Sequence, residues 1–203
     1  SGRRVGVPHR SRPDHKARHP VHVTLRSVIG YLRSGPVFAA VVESISLARR
    51  SDFRVVHFSV QANHVHLLVE ASDLGALSRG IRGLIIRSAR AVHGVLGRAG
   101  RVWTGRYHRR DLKTPAEVRN GLVYVLHNWK KHSDGATGVE PRSSGPSFDG
   151  WRDHAGAGPA SAPRPVTTPR TWLAAEGWRL HGLLSIHESP ASGRSSTTSA
   201  ARA

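Results

Sequence analysis

The sequence Asn-His-Val-His-Leu-Leu-Val-Glu at positions 63–70 constrains the fold of this chain more than any other segment. It is short, apolar and rich in residues that favour strands, so it predicts a β-strand whose side chains alternate between two faces. The side chains predicted to point into the core are Val65, Leu67 and Val69. His64 and His66 then share the opposite face. Two imidazoles on one face of a rigid strand can hold a divalent metal ion, or can be ordinary partly buried polar residues.

Periodic segments with clear boundaries lie on both sides of this strand. Val21, Val23 and Leu25 alternate with polar residues, which indicates a half-buried strand. Asp73 is a candidate N-cap, and Thr114-Pro115-Ala116-Glu117 is a capping box with proline at the first helical position. The predicted order is a strand over 19–26, a helix over 35–48, strands over 52–60 and 63–70, a helix over 73–96, a strand over 101–113 and a helix over 114–131.

This order predicts a ferredoxin-like α/β fold, in which a βαββαβ unit forms an antiparallel sheet with two helices on one face. The two helices are expected to cover the apolar side of the central strand. The other face, which carries His64 and His66, stays open for the third helix, so that helix is expected to determine what lies over the histidines.

The domain organisation follows from changes in composition. Residues 1–17 are basic and contain two prolines, so they are expected to form a flexible arm. Residues 18–132 form the predicted domain. Residues 133–203 are rich in Gly, Pro, Ser and Ala and predict an irregular tail with one short helix over 171–184. Its predicted anchors to the domain are Phe148, Trp151 and Trp172.

The positive charge of the chain indicates the class of its binding partner. Residues 1–132 carry 24 basic and 7 acidic side chains, out of 31 and 13 in the whole chain. A domain this basic favours a polyanion as its partner, with nucleic acid ahead of an anionic membrane surface. The chain has no Cys and no apolar segment as long as a membrane span, so we expect a cytoplasmic, nucleoid-associated protein with no membrane partner and no small-molecule substrate.

The third helix supplies the remaining chemistry. Tyr124 and Asn128 are four residues apart and project from the same side of that helix. If the helix crosses the open face of the sheet, both side chains can meet His64 and His66. Two imidazole nitrogens and one amide oxygen are all neutral ligands. A bound ion would therefore keep its full positive charge and could polarise a phosphodiester. The phenol beside them is then a possible nucleophile, although a tyrosine on an amphipathic helix can also be a boundary residue.

Four segments of the sequence resemble the single-tyrosine HUH transposases, in particular the REP-associated tyrosine transposases. They are His-Pro-Val-His-Val-Thr-Leu-Arg at 19–26, Phe-Ser-Val-Gln-Ala-Asn-His-Val-His-Leu-Leu-Val-Glu at 58–70, Gly-Arg-Val-Trp-Thr-Gly-Arg-Tyr-His at 100–108 and Val-Arg-Asn-Gly-Leu-Val-Tyr-Val-Leu-His-Asn-Trp-Lys-Lys-His at 118–132. The resemblance implies the HUH nuclease fold. Relatives often continue from the helical Asn into Pro and a small-residue turn, whereas Trp129-Lys130-Lys131-His132 follows Asn128 here.

The resemblance implies a metal-dependent endonuclease and strand transferase that cuts single-stranded DNA beside hairpins. It assigns Tyr124 as the nucleophile that forms a 5′-phosphotyrosine, and His64, His66 and Asn128 as ligands of Mg²⁺ or Mn²⁺. A monomer is expected, with a homodimer as the alternative. The side chains predicted to contact DNA are His22, Arg26, Arg79, Arg82, Arg87, Arg106, Tyr107, Arg109 and Arg110. A domesticated, non-enzymatic protein that binds nucleic-acid hairpins and an RNA endonuclease with the same metal are the alternative functions.

Overall fold

The sheet has four antiparallel strands, and its order confirms the ferredoxin-like prediction. The structure is a computed structural model that describes residues 14–132, 137–153 and 165–190. The strands are β1 (Val21–Arg26), β2 (Phe53–Val60), β3 (His64–Ala71) and β4 (His108–Asp111). Their order across the sheet is β2-β3-β1-β4, so β3 and β1 are central and β4 is an edge strand.

Helices cover both faces of this sheet. They are α1 (Gly35–Ser46), α2 (Leu74–Leu96), α3 (Pro115–His127) and the short α4 (Trp172–Ala175). Helices α1 and α2 pack on the face that carries Val23, Val65 and Leu67, in the first hydrophobic core. Helix α3 packs on the other face with Leu68, in a second core. The third helix therefore crosses the face of the histidines, as the alternation in β3 predicted.

The predicted helix boundaries are present and have physical causes. Asp73 accepts a hydrogen bond from the Ala76 amide at 2.7 Å and caps α2. Thr114 accepts one from the Glu117 amide at 3.2 Å, and Glu117 accepts one from the Lys113 amide at 2.6 Å. The start of α3 is therefore fixed by its own sequence.

Two sequence predictions need correction. The strand predicted over 101–113 is reduced to β4, because the Trp103 indole turns inward and donates to Ser88 Oγ at 3.0 Å. In the predicted arm, His15 is buried and bonds to Asp111 at 2.7 Å. Residues 1–13 of that arm lie outside the described residues.

The segment after α3 is not an irregular appendage where the structure describes it. Phe148, Trp151 and Trp178 are buried against α3 in the second core. Trp172, a predicted anchor, is 55% exposed, and Trp178 has the buried position instead. The predicted helix is divided into α4 and a 3-10 turn, Gly177–His181. Residues 133–136, 154–164 and 191–203 lie outside the described residues.

Glu70 attaches this segment to the sheet, which gives a test of stability. Its buried carboxylate accepts hydrogen bonds from the amides of Arg170 and Thr171 and from the Thr171 hydroxyl, at 2.8 to 3.0 Å. Glu70→Gln places an amide NH₂ against these donors, so we expect it to lower the free energy of unfolding by about 2–3 kcal/mol. Urea unfolding measures this. Glu43→Gln, at an exposed position of α1, is the control. An equal effect of the two substitutions would contradict the anchoring role.

Among the described residues, no helix is both long enough and apolar enough to cross a membrane.

Candidate nuclease site

His64 and His66 lie side by side on the α3-facing surface of β3. Their ring centroids are 4.7 Å apart and the ring planes are nearly perpendicular. His66 is 3% exposed, whereas His64 is half-buried at the start of the strand. The register of β1 against β3 places Thr24 opposite His66 and Arg26 opposite His64. The two histidines therefore stand on a rigid surface between flanking polar groups.

Hydrogen bonds hold both rings in one orientation. The Nδ1 atom of His64 is 2.8 Å from Asn63 Oδ1, which can only accept. The Nδ1 atom of His66 is 3.2 Å from Thr24 Oγ1 and 3.2 Å from His22 Nε2. Asn63 Oδ1 therefore places the ring proton of His64 on Nδ1, and we assign the same tautomer to His66, whose Nδ1–H the Thr24 hydroxyl can accept. The Nε2 atom of each ring then carries its lone pair and faces the side chain of Asn128, and the groups bonded to Nδ1 keep it aimed there.

The two Nε2 lone pairs converge on the side chain of Asn128. Its amide nitrogen is 3.4 Å from His64 Nε2 and 3.2 Å from His66 Nε2. Asn128 is 2% exposed and lies where α3 ends and a 3-10 turn, Asn128–His132, begins. Rotation of the amide by 180° would present its oxygen to the same point. The structure thus brings together the three side chains that the sequence predicted as metal ligands.

The imidazoles of His66 and His22 are neutral at physiological pH, because their pKa values are lowered. Burial, together with the neighbouring His22, His64, Lys131 and Arg26, lowers the pKa of His66 from 6.5 to about 2. Burial and Arg110 lower the pKa of His22 from 6.5 to about 4. A neutral imidazole is the form that binds a metal ion. The same environment therefore keeps the His66 lone pair available down to acidic pH.

The donor set fits a divalent cation. Two imidazole nitrogens and one amide oxygen would provide three of the ligands of such an ion and would leave room for water and phosphate oxygens. Among the described residues, no group of three or more His, Asp or Glu side chains is arranged to hold a metal. The His64–His66–Asn128 cluster contains only two such side chains, and the amide completes it.

Tyr124 lies one helical turn before Asn128 and contacts the same cluster. Its ring is 5.0 Å from the His66 ring and 5.3 Å from the His22 ring, edge to face in both cases. The Lys131 ammonium is 4.6 Å from the centre of the phenol ring. Tyr124 also lines a cavity of about 480 Å³. A possible nucleophile, a possible metal site and a cation are therefore within one small volume.

The cavity beside Tyr124 is walled partly by residues of the segment after α3. Glu188, Ser189 and Pro190 form one side of it. Arg119 on α3 fixes this wall through a bidentate ion pair with Glu188, at 2.8 and 3.0 Å. The Lys130 ammonium donates to the carbonyl oxygens of Ile186 and Glu188. The sequence analysis missed this wall, because nothing in the composition of the segment indicates where it packs.

The predicted DNA contacts fall on two sides of the sheet. Arg26 and His22 project from β1 on the same side as the histidines, and exposed Arg110 lines the cavity of Tyr124. Helix α2 carries Arg79, Arg82 and Arg87 on the other side, all exposed. Arg79 pairs there with Asp52 at 2.9 Å, which occupies its guanidinium. Only some of the predicted contacts can therefore share one surface with the site.

The structure differs from the sequence predictions at Arg109 and at the residues that orient the histidines. The Arg109 side chain is 4% exposed and pairs with Asp111 at 2.8 Å, which contradicts its predicted contact with DNA. The alternation of β4 turns it toward the α1–α2 side, opposite to Arg110. Asn63 and Thr24 were missed as partners of the metal ligands. Their signals were present, since Asn63 precedes His64 and Thr24 belongs to the polar face of β1.

Comparisons with known proteins address the fold. No model of a protein family and no curated protein matches the chain. Seven chains of solved structures match. One is the structure of a REP-associated tyrosine transposase bound to a REP hairpin, with a TM-score of 0.51 and 15% sequence identity over 63% of this chain and 75% of that chain. The chain thus has the fold of a REP-associated tyrosine transposase, as the resemblance of its sequence segments predicted.

Proposed function

We propose that the protein is a metal-dependent nuclease and strand transferase of the HUH tyrosine type, acting on single-stranded DNA. The observation that carries this proposal is the packing of Tyr124 against His66, the imidazole that converges with His64 on Asn128. Cleavage through a covalent tyrosine needs the nucleophile and a cation at the same phosphate. In this chain Tyr124 would supply the nucleophile, and His64, His66 and Asn128 would hold the cation.

The residues divide the chemistry among them. His64, His66 and Asn128 would hold Mg²⁺ or Mn²⁺, which when bound neutralises charge on the scissile phosphate. The Tyr124 phenol loses its proton to water in the cavity, and its oxygen attacks phosphorus. A bond from phosphorus to the tyrosine oxygen forms, the bond to the 3′ oxygen breaks, and that oxygen takes up a proton to become a 3′-hydroxyl. Attack by another 3′-hydroxyl on the phosphotyrosine reverses these steps and transfers the strand.

Cations beside the phenol support phosphate as the reacting group. Because the pKa values of His22 and His66 are low, these rings carry no positive charge at neutral pH. The positive charge near the phenol comes instead from Lys131, over the Tyr124 ring, and from Arg110, which lines the cavity and pairs there with Glu117 at 2.9 Å. Preorganised cations at a developing negative charge are an effective way to stabilise a transition state. These two side chains are therefore our candidates for contacts to the scissile phosphodiester.

The substrate proposed is single-stranded DNA with a hairpin. The support is the charge of the first 132 residues, 24 basic against 7 acidic, and the hairpin bound by the structural neighbour. We also propose that Tyr124 acts in its own subunit and that the protein works as a monomer. The support is that the nucleophile and all three proposed ligands meet within one chain.

The direct test is detection of the covalent intermediate. End-labelled hairpin DNA with single-stranded flanks is incubated with the protein and Mn²⁺ and separated on a denaturing gel. We expect a protein–DNA band that is absent with EDTA, and a nucleotide-modified Tyr124 peptide in the mass spectrum. DNA binding without cleavage across a panel of hairpins would instead favour the domesticated binding protein. Cleaved RNA without any covalent band would favour the RNA endonuclease.

A further inference from the structure

His22 on β1 contacts both parts of the candidate nuclease site. Its Nε2 atom is 3.2 Å from Nδ1 of His66, and the centroids of the two rings are 5.3 Å apart. The His22 ring also lies edge to face against the Tyr124 ring, with 5.3 Å between the centroids. Since the rings of His66 and Tyr124 are 5.0 Å apart, the three rings form a closed triangle. Removal of His22 would leave the other two rings without support on one side.

The register of the sheet determines where His22 lies. Strand β1 places Thr24 directly opposite His66, so His22, two residues earlier, is the diagonal neighbour of the same histidine. Aromatic side chains at diagonal positions of neighbouring strands are within reach of each other. Helix α3 crosses this face and brings Tyr124 onto the same ring. Both contacts of His22 therefore depend on regular elements and not on a loop.

The contact between His22 and His66 is a hydrogen bond with a defined direction. Because the His66 proton is assigned to Nδ1, the Nε2 atom of His22 accepts it and shares it with the Thr24 hydroxyl, which is also 3.2 Å away. An acceptor at Nδ1 fixes the ring of a metal-binding histidine and raises the basicity of its other nitrogen. His22 therefore acts on the His66 Nε2 atom, which faces Asn128.

The sequence analysis assigned His22 to contacts with DNA, and the structure favours a different role. His22 lines the cavity of Tyr124, but it is half-buried and its Nε2 atom is engaged by His66. Its lowered pKa also leaves it without charge at neutral pH. Arg110, opposite His22 on β4, is exposed and lines the same cavity. A phosphate at this place would thus meet the guanidinium, while the imidazole contacts other side chains.

We propose that His22 is a positioning residue that keeps the metal ligand His66 and the nucleophile Tyr124 at fixed positions relative to each other. Its acceptor nitrogen orients His66, and its ring supports Tyr124. The roles of these two partners rest on the proposed function, but each contact has a readout that needs no cleavage. Two substitutions separate the contacts. His22→Phe keeps an aromatic ring and removes the acceptor, whereas His22→Gln keeps an acceptor near the position of Nε2 and removes the ring.

Electron paramagnetic resonance of free Mn²⁺, in the absence of DNA, measures the contact with His66. We expect His22→Phe to raise the Kd for Mn²⁺ about 10- to 100-fold, because a group that orients a metal ligand typically contributes that much. His22→Gln retains an acceptor and is expected to bind Mn²⁺ within about threefold of the unmodified protein. The matched control is His108→Phe, at an exposed histidine of β4 that lies opposite Thr24 on the same face of the sheet. It should bind Mn²⁺ normally.

Relaxation of ¹³C-labelled tyrosine rings, measured by nuclear magnetic resonance in EDTA, reports the contact with Tyr124. The chain has three tyrosines, so the Tyr124 signal is the one lost in Tyr124→Phe, and the signals of Tyr31 and Tyr107 are internal references. We expect the Tyr124 ring to stay ordered in His22→Phe and to become mobile in His22→Gln. At saturating Mn²⁺, the maximal rate of adduct formation should then fall about 10- to 100-fold in His22→Gln, because the attacking oxygen is misplaced.

The possible outcomes distinguish this role from the alternatives. Normal Mn²⁺ affinity in both His22 variants, together with weaker binding of hairpin DNA, would overturn the proposal and restore the DNA contact predicted from the sequence. Equal losses of Mn²⁺ affinity in His22→Phe and His22→Gln would also overturn it, because both would then reflect general packing. An adduct formed by a protein whose His22 variants bind Mn²⁺ normally would overturn the positioning role alone. The expected Mn²⁺ and Tyr124 results in a protein that forms no adduct would support the positioning role and refute the nuclease.

Discussion

Tyr124→Phe is expected to lower formation of the covalent protein–DNA adduct at least about 1000-fold, because it removes the only atom of that side chain able to attack phosphorus. The ring remains, so its edge-to-face contacts with His66 and His22 remain as well. We therefore expect the variant to fold normally and to bind hairpin DNA within about twofold of the unmodified protein. Single-turnover gels measure adduct formation, and anisotropy measures binding.

Tyr31→Phe is the matched control for this substitution. Tyr31 is 42% exposed and its hydroxyl accepts a hydrogen bond from Arg98 at 2.7 Å, away from the histidine cluster. The Tyr31→Phe variant should form the protein–DNA adduct at the normal rate. Cleavage that continues in Tyr124→Phe and still needs a metal would show that water is the nucleophile. Loss of DNA binding together with the adduct would show that the phenol acts in recognition and not in chemistry.

The parts of the fold that could be predicted are those set by local sequence. Alternation in β3 separates Val65 and Leu67 from His64 and His66, and one hydrophobic core must take the apolar side. Asp73 and Thr114 fix the starts of α2 and α3 through bonds to amides three residues ahead. These signals need no information about distant residues, which is why the sheet order and the crossing of α3 could be predicted.

The parts that could not be predicted depend on long-range partners. The segment after α3 is held by Glu70 and by the burial of Trp178, and neither interaction has a local signature. Arg109 and Arg110 are adjacent and equally basic in sequence. They differ because the pleat of β4 turns one toward Asp111 in the interior and the other toward the cavity. Their different exposure follows from where β4 pairs, which sequence alone did not establish.

The second large effect on adduct formation is expected from substitution of a proposed metal ligand. His64→Ala removes one of the two imidazoles that converge on Asn128, while its half-buried position limits the cavity left behind. We expect adduct formation at a fixed Mn²⁺ concentration to fall at least about 100-fold, because loss even of a group that only orients a ligand typically costs 10- to 100-fold. Electron paramagnetic resonance of free Mn²⁺ measures the ion affinity without any cleavage. His181→Ala, an exposed histidine of the 3-10 turn after α4, is the control.

Asn63→Ala separates metal binding from other roles of the histidine. It keeps His64 but removes the acceptor 2.8 Å from its Nδ1, so the ring loses the bond that orients it. A role in metal binding predicts a graded result, in which the Mn²⁺ titration midpoint rises about 10- to 100-fold and the maximal rate at saturating Mn²⁺ is largely restored. His64→Ala should not regain that rate at any accessible concentration. A normal Mn²⁺ titration midpoint in both His64→Ala and Asn63→Ala would show that β3 does not hold the metal ion. The convergence of the two imidazoles on Asn128 would then serve only to pack α3 against the sheet.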